Sequence, residues 1–176
     1  MLKKILLALL VLIVVLVIVV AVQPSDFRIT RKAVIAAPPA AIFEQLNAFQ
    51  KWNAWSPWAK LDPNAKNSFE GPASGVGAKF MWSGNSEVGE GSMTITASKP
   101  DEKVVMDLVF IKPFAGSSVT EFTLKPEGSG TEVTWSMSGR NNFIGKAISL
   151  CMNCDKMIGT KFEEGFENLK RVVAKP

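Results

Sequence analysis

The sequence predicts an α+β domain in which an antiparallel sheet wraps around a long C-terminal helix, with a membrane-spanning helix before the domain. Three patterns indicate this architecture. Residues 5–22 are wholly apolar, residues 77–138 alternate apolar and polar side chains in short segments, and residues 143–174 carry their apolar side chains on one helical face. A chain of 176 residues accommodates one such domain and an appendage.

The N-terminal apolar segment divides the chain into an anchor, residues 1–22, a linker, residues 23–26, and a domain, residues 27–176. At about 1.5 Å per residue, the segment matches a hydrocarbon core about 30 Å thick. A cleaved signal peptide is the alternative, but its apolar region is usually only about 7 to 15 residues long. The short linker reaches at most about 14 Å, so the domain must lie close to the bilayer.

The charges that flank the anchor bear on its orientation. Lys3 and Lys4 directly precede it and favour a cytoplasmic N-terminus, which places the domain outside the cytoplasm. Arg28, Arg31 and Lys32 follow it and reduce this asymmetry.

Composition excludes several kinds of chemistry. The chain contains no histidine and no tyrosine, which excludes Ser-His-Asp and Cys-His mechanisms and argues against a zinc site. Lys3 and Lys4 supply two of the four net positive charges, so the domain itself carries about two, and no basic run is interleaved with aromatic residues. We therefore expect no metal, no cofactor and no nucleic-acid partner.

Turn residues separate about six predicted antiparallel strands, and the short links between the later strands favour a meander. The predicted strands are residues 27–36, 77–83, 91–98, 103–111, 118–125 and 131–138. Pro38 and Pro39 end the first strand and open a short helix. Alternation places Phe122 and Trp135 on the apolar face and Asp107 on the outer face.

The C-terminal segment predicts one amphipathic helix over residues 143–174. Asp155 interrupts its apolar face, where an unpaired carboxylate would be costly. Two interpretations remain open. Asp155 is a buried structural acid bonded to backbone or to the indole of Trp82 or Trp135, or it is a polar anchor for a ligand. For the second role, the partners nearest in sequence are Arg140, Asn141 and Asn142.

Cysteine and tryptophan each leave alternatives open. Cys151 and Cys154 have the spacing of a redox or metal motif, but on the apolar helix face they also suit core packing or a disulfide. Trp52, Trp55 and Trp58 lie three residues apart. They either pack in the core or line a cavity mouth at the membrane interface, where tryptophan is favoured.

Taken together, the motifs over residues 27–171 resemble the START-like superfamily, also called the Bet v 1-like or SRPBCC fold, and within it bacterial proteins described as polyketide cyclase/dehydrase-like. The similar segments are Ile35-Ala36-Ala37-Pro38-Pro39 with Ile42-Phe43, Trp52 to Trp58, Gly75-Val76-Gly77-Ala78, Gly130 to Trp135, Asp155 to Gly159, Phe162-Glu163 and Asn168-Leu169-Lys170. The resemblance implies a helix-grip fold, in which the curved sheet and the C-terminal helix enclose an apolar cavity for lipids or other hydrophobic molecules.

These inferences predict a membrane-anchored domain, at the inner membrane of a bacterial cell, that binds a hydrophobic small molecule or lipid. The alternatives are a polyketide cyclase/dehydrase-like enzyme and a non-catalytic protein-interaction domain. No residue is assigned a catalytic role, because Asp155 has no identified partner base. We expect the ligand to contact Trp82, Phe110, Phe122, Trp135, Met137, Cys151, Asp155, Ile158 and Phe162.

Overall fold

The computed structural model describes residues 1–174, so the last two residues of the expected domain lie outside the described residues. The helices are α1 (Leu2–Ala21), α2 (Pro39–Leu46), α3 (Phe143–Cys151) and α4 (Cys154–Val173), with a 3₁₀ helix at Phe49–Ala54. The strands are β1 (Asp26–Ile35), β2 (Lys66–Glu70), β3 (Lys79–Ser83), β4 (Glu90–Lys99), β5 (Lys103–Lys112), β6 (Gly116–Glu127) and β7 (Gly130–Arg140).

The strands form one antiparallel sheet in the order β1-β7-β6-β5-β4-β3-β2. Six of them correspond to the predicted strands, and β2 is additional. Its sequence, KNSFE, has one large apolar side chain, and all five residues are exposed, so it carries no alternating pattern to detect. The helix-grip architecture predicted from the sequence is confirmed, because the sheet packs one face against α4 and leaves the other outside.

The prediction of one C-terminal helix is wrong, because the structure has two helices there, α3 and α4. Met152 has extended backbone angles, φ −129° and ψ 135°, which end α3. Asn153 then begins α4 by accepting a hydrogen bond from the backbone N–H of Lys156, a typical N-cap. The apolar side chains continue across the break, and for this reason periodicity alone joined the two helices.

Helix α1 is the only helix within residues 1–174 that is long and apolar enough to cross a membrane. Its hydropathy averages 3.4 over an 18-residue window, and nearly all of its side chains are exposed. Signal sequences share these properties. Strand β1 begins five residues after α1, so α1 leaves the domain at one defined end of the sheet.

We call this the α1-side end of the sheet. Asp26 at the start of β1 pairs with Arg140 at the end of β7, and the antiparallel order places the β5–β6 connection at the same end. The β4–β5 and β6–β7 turns therefore lie at the opposite end.

Helix α4 approaches the sheet most closely at Gly165, and we expect Gly165→Ala to destabilise the fold. A Cβ atom there would lie 2.7 Å from the ring of Trp135 and 3.3 Å from Pro57. The buried indole has no room to move, so overpacking should cost about 1–3 kcal/mol. This exceeds the gain of about 1 kcal/mol that alanine brings to a helix.

Chemical denaturation of the full-length protein would measure this effect on the free energy of unfolding. Lys156→Ala, at an exposed position of the same helix, is the control and should stay within about 0.5 kcal/mol of the parent. A Gly165→Ala protein as stable as the parent would show that α4 and Trp135 are not in tight contact.

Candidate ligand-binding site

The central part of the concave sheet face is filled by aromatic side chains. Phe162 of α4 stacks on Trp135 of β7 with ring centroids 4.1 Å apart and an interplanar angle of 8°. Phe122 lies 4.6 Å and Trp55 5.7 Å from the same indole, and all four side chains are buried. Phe122, Trp135 and Phe162 were expected to line a cavity, but at this position they pack against one another and form the core.

The tryptophan motif belongs mainly to this core. The indole N–H of Trp52 donates to the carbonyl of Leu46 at 3.1 Å, and that of Trp55 donates to Gln45 at 3.3 Å. Both rings are buried, which corrects the interpretation that they lie at a cavity mouth or membrane interface. Trp58 is partly exposed and contacts Trp135 and Phe162 edge-on.

Toward the α1-side end, the concave face is less covered. Phe80, Trp82 and Met93 are partly exposed there, and Phe110 is 36% exposed. The three aromatic rings form a continuous row. The ring centroids of Phe80 and Trp82 are stacked 5.7 Å apart, and Trp82 meets Phe110 edge-on at 5.8 Å. We call this region, with Leu108 and Ser118 at its base, the open trough.

Two glycines of the open trough differ in what surrounds them. Gly91 pairs with both Trp82 and Phe110, and a Cβ atom on it would lie 2.6 Å from the indole of Trp82. The indole therefore lies directly over the backbone of β4. Gly116 pairs with Phe110, and no heavy atom lies within 4 Å of where its Cβ would be. Space thus remains beside Phe110.

The trough is lined by uncharged side chains. Its polar groups are the hydroxyl of Ser118 and the indole N–H of Trp82, which already donates to the carbonyl of Val88 at 2.9 Å. Asp107 alternates with the trough residues of β5 and points to the outer face, whereas Glu90 lies at a register shift and forms an ion pair of 2.7 Å with Lys112. Such a surface suits an apolar guest that carries no charge.

Two other predicted contact residues, Met137 and Ile158, belong to the core or pack against it. Met137 is 9% exposed, and Ile158 packs partly buried against the core. The predicted ligand residues are therefore divided, with only Trp82 and Phe110 fully within the open trough. Sequence alternation alone does not distinguish the filled part of a concave face from the uncovered part.

Asp155 does not point into the interior, which corrects the expectation from the helical wheel. Its side chain is exposed, and Arg31 binds it through two guanidinium hydrogen bonds of 3.0 and 3.2 Å. Arg31 also donates to Glu163 at 2.9 Å and to the backbone carbonyl of Asp155 at 3.0 Å. Asp155 does share the helical face of Phe162 and Phe166, but it lies in the first turn of α4, where that face is still exposed.

The partners that the sequence suggested for Asp155 are engaged elsewhere. Arg140 pairs with Asp26 at 3.2 Å, the side chain of Asn141 donates to Ser149, and Asn142 caps α3. Arg31 was detectable, because it occupies an inward position of β1 between Ile29 and Ala33. The Arg31–Asp155–Glu163 cluster fastens the start of α4 to the edge strand.

The two cysteines lie on either side of the helix break. Cys151 ends α3 and is exposed, which corrects its expected place on a buried face, while Cys154 begins α4 and is partly buried. Both thiols are free, and the Cys154 sulfur lies 3.9 Å from the hydroxyl of Ser149. Within residues 1–174, no cluster of three or more His, Cys, Asp or Glu side chains is arranged to hold a metal ion.

Two further hollows lie outside the trough. One of about 210 Å³ is bordered by Phe49, Phe69, the segment Gly71-Pro72-Ala73 and the charged residues Glu70 and Lys79. The other, of about 470 Å³, is an open groove between β1 and α4 that contains Lys32, Glu163 and Lys170. Their charged borders make them poorer sites for a wholly apolar molecule.

The ion pair at the start of α4 predicts a pH-dependent contribution to stability. Arg31 lowers the pKa of Asp155 below its usual value, chiefly through hydrogen bonding. Because the folded pKa is the lower one, this stabilisation is present above the unfolded value of about 3.9 and is lost as pH falls through the folded pKa. We expect Asp155→Asn to lower the melting temperature at pH 7 and to have a smaller effect at pH 3, below the unfolded value of about 3.9.

Thermal unfolding of both proteins across this pH range would test the prediction. Glu164→Gln is the control, since Glu164 forms only an exposed pair with Lys161. A destabilisation by Asp155→Asn that is equal at pH 3 and pH 7 would contradict the assigned ion pair.

Comparisons with known proteins agree with this architecture. The family described as "Polyketide cyclase / dehydrase and lipid transport" matches residues 26–174. A comparison with curated proteins finds no significant match.

Solved structures share the fold at low sequence identity. Protein MLL2253 from Mesorhizobium loti superposes with a TM-score of 0.62 and 19% identity, covering 84% of this chain and 96% of that protein. The Aha1 dimer from Colwellia psychrerythraea superposes with a TM-score of 0.61 and 19% identity, covering 85% of this chain and 97% of that protein. Ara h 8.0201 superposes with a TM-score of 0.61 and 12% identity, covering 86% of this chain and 99% of that protein.

At such identities these likenesses establish the fold alone, whereas the family match spans nearly the whole domain. With its seven-stranded curved sheet and C-terminal helix, the chain therefore belongs to the polyketide cyclase/dehydrase and lipid-transport family and has the Bet v 1-like, or SRPBCC, fold.

Proposed function

We propose that this protein binds an uncharged hydrophobic small molecule or lipid in the open trough while α1 anchors it in a membrane. The observation that carries the proposal is the division of the concave face. Its centre is closed by Trp135 and Phe162, whereas the α1-side end keeps Trp82 and Phe110 partly exposed beside the vacant position at Gly116. The family description, which includes lipid transport, is consistent with this role.

The driving force is the burial of apolar surface. The aromatic row from Phe80 to Phe110 offers rigid rings at little cost in conformational entropy. Apolar contact contributes about 25 cal/mol for each Å² removed from water. An ionised headgroup would lose hydration in the trough without gaining a counter-charge, so we place any charged part of a ligand outside it.

The anchor supports the same role. Helix α1 is wholly apolar between Ile5 and Val22, and β1 begins five residues after it ends. The trough therefore lies near the bilayer in which hydrophobic molecules are dissolved. The lysines before α1 favour a domain outside the cytoplasm.

Two alternatives have weaker support. A cyclase or dehydrase needs an inward acid–base pair, and Asp155, the acid singled out in the sequence, is exposed and bound to Arg31. A protein-interaction domain with a filled interior agrees with the central aromatic core, but that role requires no uncovered aromatic row.

Native mass spectrometry of the full-length protein from nanodiscs tests the proposal directly. We expect an uncharged lipid to remain bound after release from the nanodisc. We also expect a pyrene-labelled alkyl alcohol to quench tryptophan emission more strongly than the corresponding carboxylate. A protein that retains no lipid and binds neither probe would contradict the proposal.

Gly116→Leu is the variant that separates binding from folding. No heavy atom lies within 4 Å of where its Cβ would be, so its side chain would extend into the open space beside Phe110. Displacing about 50 Å² of ligand contact should cost about 1.3 kcal/mol, or close to tenfold in affinity. Ser117→Leu is the matched control, because Ser117 is the next residue of β6 and faces outward. Equal loss of binding in both variants would show that the trough is not the site.

A further inference from the structure

The apolar side chains at the α1-side end of the sheet exceed what the fold needs. Ile111, near the end of β5, is 52% exposed, and Phe114, in the β5–β6 connection, is 56% exposed. Phe143 and Ile144, at the start of α3, are 49% and 51% exposed. No side chain of α3 is buried. Four large apolar residues thus face solvent on two neighbouring segments.

The two segments are adjacent in space. Ser118 of β6 pairs with Gly139 of β7, so the start of β6 lies beside the end of β7 and the residues that lead into α3. Ile111, Phe114, Phe143 and Ile144 therefore lie at the same end of the sheet, and we call these four residues the apolar rim. An exposed apolar group at one place, rather than scattered single residues, marks an interaction surface.

The opposite end of the sheet provides an internal comparison. Its β4–β5 turn is Pro100-Asp101-Glu102 and its β6–β7 turn is Gly128-Ser129, and all five residues are exposed. Neither turn carries a large apolar side chain, and the β2–β3 connection at the same end, residues 71–78, exposes one, Val76. At the α1-side end, the β3–β4 connection, residues 84–89, is also mostly polar. It lies toward the β2 edge of the sheet, away from β1 and α1. The apolar residues are therefore concentrated next to α1.

Two hydrogen bonds hold α3 and the residue before its N-cap next to the end of α1. The ammonium of Lys146, in α3, donates to the carbonyl of Ala21 at 3.0 Å. A cation is favoured there, because the last carbonyls of a helix carry partial negative charge. The backbone N–H of Asn141 donates to Ser25, in the linker, at 2.8 Å. The rim is thus held at the point where α1 leaves the domain.

We propose that the apolar rim docks on the bilayer surface beside α1, with Phe114 and Phe143 in the boundary between headgroups and acyl chains. Apolar side chains of interfacial segments commonly enter this boundary by about 5–10 Å. The inference rests on the proposed function in that α1 defines the membrane side. Docking of the rim adds a second contact with the membrane besides α1. This contact turns the trough toward the lipid and shortens the path of a ligand from the bilayer.

Site-specific fluorescence quenching in nanodiscs tests this inference on the full-length chain. Cys151→Ser and Cys154→Ser remove the native thiols, and single cysteines then replace Phe114, Phe143, Ser129 or Val11. Each carries a solvatochromic dye. The lipids carry a nitroxide near the headgroup end of the acyl chain for the dyes at 114, 143 and 129, and near its terminal methyl for the dye at 11. We expect the dyes at 114 and 143 to lose most of their emission and the dye at 129, at the opposite end, to keep it.

The label at position 11 reports the anchor separately from the rim. Quenching at 11 with unquenched dyes at both 114 and 143 would overturn the docking inference and leave the anchor intact. Quenching at 114 or 143 without quenching at 11 would support docking and contradict the anchor. Equal quenching at 114, 143 and 129 would overturn the inference, because it would show no preferred orientation.

Discussion

The stack of Phe162 on Trp135 decides which part of this domain is closed and which is open. It joins α4 to the middle of the sheet, and Gly165 allows the helix to lie against the same indole one turn later. Once these rings fill the centre of the concave face, a guest can be accommodated only toward an end. The side chains that remain partly exposed, Trp82 and Phe110, lie toward the α1-side end.

The charged side chains of Arg31, Asp155 and Glu163 stabilise the contact between α4 and the sheet and do not line the trough. Arg31 lies on the inner face of β1, but its guanidinium extends to the start of α4, where it meets Asp155, Glu163 and a backbone carbonyl. Gly159 leaves the space that this guanidinium occupies, since a Cβ there would lie 2.0 Å from it. Charge therefore fastens the helix at the sheet edge, while the trough keeps an uncharged surface.

Much of the fold was predictable, because alternation and turn residues are local signals. The six predicted strands, the apolar face with Phe122 and Trp135, and the helix-grip order are confirmed. The break at Met152 was missed because the apolar face continues across it, although Asn153 is a recognisable N-cap residue. That miss misplaced Cys151, whereas Asp155 lies on the predicted face of α4 but in its exposed first turn. The location of the trough was not predictable, since it depends on how tertiary packing divides one concave face.

The central claim is that a hydrophobic molecule occupies the open trough rather than the filled centre or the groove beside β1. Photo-crosslinking measures this directly, using an uncharged lipid with a diazirine in its alkyl chain and the full-length protein in nanodiscs. The account predicts that peptide mass spectrometry will find the crosslinks on β3, β5 and the start of β6, at residues such as Trp82 and Phe110. Crosslinks confined to α1, or to the groove formed by Lys32 and Glu163, would contradict it.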